Sequence, residues 1–266
     1  MIEVLKNKQK LLASEAIFLT LQKNMRTKKR NCLFFVHGFN NDFKDVLERA
    51  HFFEKNYGVE VVVFTWPANG GGIKGVVSYK SDKREAQLSV NALDRTFEKL
   101  SQYFIDHRTS ACNQSFSLVM HSMGNYLFKN LMKSSVYGGE TLLFDNIIMA
   151  AADVNNKDHE EWVDRIAFRK RLYIMINEDD SALLTSRLKF GEKQRARLGH
   201  YTRNLNSNSA VYIDFTNAKH VKRSHAYFED AIKNKNVKDV FQKAFNGERA
   251  EKGLLYEAEM NAYSVV

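Results

Sequence analysis

Residues 115–132 read SFSLVMHSMGNYLFKNLM. The run from Phe116 to Met120 is mostly apolar, the pattern of a strand buried on both faces, and a helical pattern follows at once. His121, Ser122, Met123 and Gly124 stand at the junction. A serine at such a junction is either an ordinary turn residue or a nucleophile held on a sharp bend, and the surrounding chain decides between them.

Outward from this stretch, short apolar runs alternate with longer helical patterns. The predicted strands are 16–22, 31–38, 59–66, 115–122, 146–154, 171–178 and 210–216. Several are nearly continuous Val, Ile, Leu, Phe and Met rather than alternating, as strands covered on both faces read. Helices are predicted over 42–56, 83–107, 123–134, 158–169, 182–190 and 226–245. Within 83–107 the residues Leu88, Ala92, Leu93, Phe97, Leu100 and Phe104 form an amphipathic stripe. Strand–helix–strand alternation implies an α/β protein with a doubly wound, mostly parallel sheet and helices on both faces. No repeat or Pro/Ser-rich linker divides the chain, so one domain over 1–266 is expected. Residues 67–82 form a glycine-rich loop, expected as a flap. The tail 247–266 is expected to be a last helix or a mobile end.

The totals fit this picture. A chain of 266 residues with 44% hydrophobic residues can bury a sizeable core, which excludes wholesale disorder. Two cysteines, Cys32 and Cys112, make no disulfide framework and read as buried thiols in a reducing compartment. With no signal peptide and no apolar run of membrane-spanning length, a cytoplasmic location is expected. The net charge of +9 could draw in nucleic acid, anionic lipid or an acidic substrate. The charge is scattered, however, and its densest run, MRTKKRN (25–31), has no interleaved aromatics. It reads as a solvated loop, and no nucleic-acid partner is expected.

In an open parallel sheet, ligands bind beyond the carboxyl ends of the strands. Those ends carry His37-Gly38-Phe39, Trp66-Pro67, His121-Ser122-Met123-Gly124, Ala152-Asp153 and Glu178-Asp179-Asp180. Beyond the last strand comes Ser224-His225. A serine, a carboxylate and a histidine thus follow one another on successive strand ends. The turn at Ser122 resembles the nucleophile elbow G-x-S-x-G of α/β-hydrolases, whose triads run in this chain order. Met120 replaces the first glycine and Gly124 keeps the second. Such an elbow exposes the serine hydroxyl and aims the amide of Met123, at a helix N-terminus, at a developing oxyanion.

The segments FVHGFNND, FTWPANG, HSMGN, AADV, DDSALLTSRL…RLG and SHAYF together resemble the bacterial α/β-hydrolase family DUF900, a domain of unknown function, over roughly residues 31–230. The resemblance implies the α/β-hydrolase fold, with Asp180 as the acid and His225 as the base. It also implies that His37-Gly38-Phe39 supplies a second oxyanion donor, the amide of Phe39. Asp179 and Asp153 remain rivals for the acid, and His220 and His200 for the base. His37 reads as a structural histidine tying the oxyanion loop to neighbouring backbone, and His121 as a packed one. Trp66 either walls an acyl pocket or ends a strand. Together with His37, Gly38 and Asp153, it is expected near the substrate.

Metal and cofactor signals are thin. DHEEW (158–162) carries His159-Glu160, but Val163 stands where a zincin needs its second histidine, so no metal and no cofactor is expected. The run Gly70-Gly71-Gly72-Ile73-Lys74-Gly75 lacks the Lys-Ser/Thr of a phosphate-binding loop. The expected function is hydrolysis of a carboxylic ester by a serine hydrolase with a Ser122–Asp180–His225 triad, on a small acyl ester or a lipid. Thioester and amide chemistry stay open, as does the oligomeric state. Two other readings stand beside it: a lipolytic enzyme making peripheral contact with anionic lipid surfaces, and a non-catalytic adaptor on a hydrolase scaffold.

Overall fold

The computed structural model describes residues 3–6, 9–68, 79–107, 113–134, 142–188 and 196–266. Seven strands carry the frame: β3 (Cys32–Val36), β4 (Glu60–Phe64), β5 (Phe116–His121), β6 (Phe144–Ala150), β7 (Arg169–Ile176), β8 (Ala210–Asp214) and β10 (Ala262–Ser264), with β9 (Leu255–Glu257) on the edge. They form one eight-stranded sheet in the order β4-β3-β5-β6-β7-β8-β10-β9. Every neighbour pair is parallel except β10 with β9. Near the N-terminus, β1 (Glu3–Lys6) and β2 (Gln9–Leu12) form a separate antiparallel hairpin.

The apolar strands bury both faces because successive side chains point to opposite sides. On one face Phe34, Leu118, Ile147, Leu172 and Ile174 meet helices α1 (Ala13–Lys28), α4 (Val90–Asp106) and α5 (Gly124–Lys133). On the other, Leu33, Phe35, Val119, Ile148, Tyr173 and Ile213 meet α2 (Phe43–Tyr57) and α9 (Lys235–Phe245). This is the doubly wound α/β sheet expected from the sequence. Its register sets Val36 beside Met120, His121 beside Ala150, and Ile176 beside Asp214. The loops leaving those carboxyl ends therefore start at a common level.

Several elements differ from expectation. Residues 16–22 are not a strand but the middle of α1. The buried residues Phe18, Gln22 and Met25 recur at helical spacing while Ile17 faces solvent, so the short apolar run marks one stripe of a helix. The basic run 25–31 is not a free loop. It closes α1, and Lys28 and Arg30 both reach Glu60, a buried carboxylate on β4. The helix expected over 83–107 is two, α3 (Tyr79–Leu88) and α4, parted at Ser89, whose hydroxyl bonds the Glu85 carbonyl. Leu88 is consequently exposed, whereas Leu93, Phe97 and Leu100 hold the buried stripe. Only Glu160–Val163 (α6) of 158–169 is helical: the Asp164 amide closes the turn on Glu160 O, and its carboxylate accepts from Ser207 and Ser209.

The segment 226–245 likewise divides, into α8 (Tyr227–Asp230) and α9, the latter capped by Asn234. A further helix, α7, spans Ser181–Leu188. The tail 247–266 is neither a last helix nor loose: it supplies β9 and β10. Ala262 and Val265 are buried, and the Val265 amide donates to Asp214 O at 2.9 Å. Three-residue strands carry no periodic signal, so only pairing with β8 reveals them. Residues 69–78 of the expected flap, its glycine run, and Cys112 lie outside the described residues; Cys32 is buried and free. No described helix is long and apolar enough to cross a membrane.

Removing residues 254–266 should therefore uncover the edge of β8. We expect a lower melting temperature and concentration-dependent association by light scattering. A truncated chain that melts like the full one would contradict the sheet order.

Candidate active site

Ser122 follows β5 directly and has φ 54°, a left-handed conformation that a non-glycine residue adopts only when its surroundings impose it. The surroundings are specific. The Ser122 amide donates to Ala150 O at 3.1 Å, and Ser122 O accepts from the amides of Asn125 and Asp153 at 3.1 and 3.2 Å. The Asn125 side chain, wholly buried, lies with Nδ2 3.0 Å from Met120 O, 3.2 Å from Ser122 O and 3.3 Å from Ala150 O. It thereby ties the end of β5, the turn and the end of β6 together.

Glycine is needed twice here. A Cβ on Gly124 would sit 2.8 Å from Val36 O and 2.9 Å from His37 O, so the helix start is pressed against the end of β3. A Cβ on Gly38 would sit 2.7 Å from Ser122 Cβ, because the loop after β3 passes directly over the serine. His37 Nδ1 bonds Gly38 O at 2.8 Å and the Asn41 amide group bonds Phe39 O at 2.7 Å. These bonds fix the loop, and Phe39 lines the cleft beside Ser122.

His225, on the loop between β8 and α8, places Nδ1 2.7 Å from Asp180 Oδ2. Asp180 is fully buried, and its other oxygen accepts from the amides of Ala182 and Leu183 at 2.9 and 3.0 Å. One carboxylate thus caps α7 and orients the imidazole, which fixes the proton on Nδ1 and leaves Nε2 as the acceptor. Ser122 and His225 line the same cleft of about 460 Å³. No hydrogen bond joins Ser122 Oγ to His225 among the described residues; such bonds are often long before substrate binds.

The rivals fall elsewhere. Asp179 is exposed and does not bond His225. The carboxylate of Asp153 accepts from Tyr79 and Ser186, both at 2.7 Å, and Arg197 Nε lies 3.0 Å away as a charge contact without an aligned hydrogen bond. Asp153 therefore belongs to the cleft wall with Tyr79 and Ser186. His220 is exposed, and His200 lies in the 3₁₀ turn Leu198–His200. Trp66 does not wall the cleft. Its indole stacks on His37 at 5.2 Å, Nε1 donates to His37 O, and its amide donates to His37 Nε2. His37 and Trp66 thus stand behind the loop as a brace rather than in the cleft.

The sequence did not point to Tyr79, Ser186, Arg197 or the bracing role of Asn125. Arg197-Leu198-Gly199 carries one usable signal, a glycine. A Cβ on Gly199 would come within 2.2 Å of Ala152 N, so this turn packs against the backbone beneath the cleft. Arg49 was also missed. It bonds Glu229 and Asn41 at the cleft's edge, where a larger open groove of about 830 Å³ begins. Among the described residues no group of three or more His, Cys, Asp or Glu side chains is placed to hold a metal ion.

Over residues 14–240 the chain matches the family described as alpha/beta hydrolase of unknown function (DUF900), and it belongs to that family. Among solved structures it is similar to phospholipase PlaB from Legionella pneumophila in complex with thio-NAD. The identity is 14% and the TM-score 0.29, over 69% of this chain and 37% of that one, so this chain spans well under half of that protein's length. No curated protein matches it.

Burial lowers the pKa of His37, His121 and His159 below the ordinary imidazole value, so the folded protein holds all three neutral. The unfolded chain binds their protons near pH 6.5, and the folded chain only at lower pH. Stability should therefore fall as pH drops through about 6.5 and keep falling until the folded pKa values are passed. Melting temperatures between pH 8 and 5 test this, and a flat or rising trend toward acid would contradict it.

Proposed function

From membership of this α/β-hydrolase family, we propose that the chain is a serine hydrolase that cleaves a carboxylic ester through an acyl-enzyme, with Ser122, His225 and Asp180 as its triad. The observation that carries the reading is the 2.7 Å bond from His225 Nδ1 to a buried carboxylate, in the same cleft as a serine held at φ 54°.

In the first step Ser122 Oγ attacks the acyl carbonyl carbon while His225 Nε2 takes the hydroxyl proton. Asp180 holds the imidazole in the required tautomer and stabilises the imidazolium, which sits beside it at hydrogen-bond distance. The carbonyl oxygen gains negative charge, and the amides of Met123 and Phe39 receive it. Met123 precedes α5, where the first amides have no intrahelical carbonyl and the helix dipole favours an anion. The tetrahedral intermediate collapses as His225 returns the proton to the leaving alcohol. Water then gives a proton to His225 as its oxygen attacks the acyl carbon, and the second tetrahedral intermediate collapses with cleavage of the bond to Ser122 Oγ, which takes the proton back from His225 as the acid leaves. The apolar side of the cleft, with Phe39, Ala182 and Leu183, suits the acyl portion.

A fluorophosphonate probe should label wild type at Ser122 and leave Ser122→Ala unlabelled. p-Nitrophenyl esters from acetate to palmitate should be hydrolysed by the wild type alone. Asp180→Asn should lower kcat on the order of 10⁴-fold, the scale on which a triad acid fails as its amide. Asp153→Asn should show its main loss in melting temperature, because Arg197 loses its buried counter-charge. The reverse ranking would move the acid to Asp153, and labelling that survives in Ser122→Ala would overturn the reading.

A further inference from the structure

The charge of the chain is scattered in sequence, but one part gathers on the surface beside the candidate site. Lys219, Lys222, Arg223, Lys233, Lys235 and Lys238 are all exposed. The loop that carries the first three folds onto the start of α9, where the Asn234 side chain donates to Lys219 O at 2.8 Å. None of the six forms an ion pair among the described residues. Of the three carboxylates in the same segment, Glu229 is paired with Arg49, Asp239 with Lys243, and Asp230 accepts from Ser224. On the neighbouring loop Glu178 is bound by Thr202, and Asp179 faces solvent.

This loop is rigid. Ala218 and Val221 anchor it in the core, and Asn177 and Ser181 hold the carbonyls of Lys222 and Arg223. His220 and Lys222 both take left-handed backbone, with φ 75° and 46°, which costs conformational energy at non-glycine residues. The start of α9 also opposes local preference. Lys235 stands in its first turn with no acidic residue, so its charge adds to the positive helix end instead of balancing it. An external anion would relieve both the repulsion and the dipole.

His225 follows Arg223 by two residues, so the cationic rim borders the cleft mouth. We propose that this rim docks the protein on an anionic lipid bilayer, with the cleft facing the lipid. The choice of lipid over nucleic acid rests in part on the ester-hydrolase reading, since a bound bilayer presents acyl esters to the cleft. It rests also on the rim's aromatics: Tyr227 and Phe228 are buried, which leaves no exposed Phe, Tyr or Trp ring in 217–239 for bases to stack on.

The test uses the full chain carrying Ser122→Ala, so that binding is read without hydrolysis. It is sedimented with vesicles of phosphatidylcholine alone or mixed with phosphatidylglycerol, at low and high salt. The protein should partition only onto the mixed vesicles, and salt should weaken this. Each cation near such a surface contributes about fivefold. Lys219→Glu/Lys235→Glu/Lys238→Glu should therefore lower the partition constant at least about a hundredfold while keeping the parent melting temperature. If that variant fails to fold, Lys222→Gln/Arg223→Gln should still lower it by more than tenfold. Equal binding to neutral vesicles, no binding, an unaffected charge-reversal variant, or displacement from vesicles by a duplex oligonucleotide at equal phosphate would overturn docking. Docking without fluorophosphonate labelling of wild type would overturn the esterase reading and leave the docking in place.

Discussion

The left-handed turn at Ser122 is the constraint around which the carboxyl end of the sheet and the cleft beyond it are arranged. A non-glycine residue in that conformation costs about 1–2 kcal/mol, so it persists only where many contacts demand it. Here the demand comes from three strands. β5 runs straight into α5, β3 presses on Gly124 from one side, and β6 supplies the Ala150 carbonyl to the Ser122 amide from the other. Asn125 joins these pieces with one buried amide group. The first glycine of the elbow pattern is replaced by Met120, a buried strand residue, without loss of the turn. The crowding that forbids a side chain is at Gly124 and Gly38, not at position 120.

The histidines divide by environment. His37 and His121 are buried and each spends its bonds on backbone: His37 on Gly38 and Trp66, His121 on the His225 carbonyl at 3.0 Å. Desolvation holds them neutral, which keeps added positive charge away from the cleft where the proposed mechanism forms an imidazolium at His225. His225 alone among these three is partly exposed and faces a buried carboxylate. The same physics separates the two aspartates. Asp180 is oriented by helix amides toward the imidazole, whereas Asp153 is engaged by two hydroxyls and a guanidinium.

Where sequence reading went astray, the error has one form. Residues 16–22, the break at Ser89 and the strands of the tail are all short, and a run of seven or fewer residues does not distinguish one helical stripe from a buried strand. The doubly covered strands β3, β5, β6 and β7 are hardly longer, at five to eight residues, and were legible because their continuous apolar runs end in turn residues. Trp66 shows the corresponding limit for side chains. Its position after β4 is plain in the sequence, but whether its indole turns to the cleft or stacks on His37 depends on a residue 29 positions away.

By itself, the sequence determined the parallel, doubly wound sheet, the family, and the serine–glycine turn at the end of β5. Periodicity, strand ends and glycine placement are local properties that survive without knowledge of contacts. Only the tertiary structure decided that Asp180 rather than Asp153 meets His225, that Tyr79, Ser186 and Arg197 converge on Asp153, and that scattered lysines gather beside the cleft. Each of those outcomes depends on the directions of side chains brought together from distant segments. The packing of one element against another sets those directions, and no window of sequence contains it.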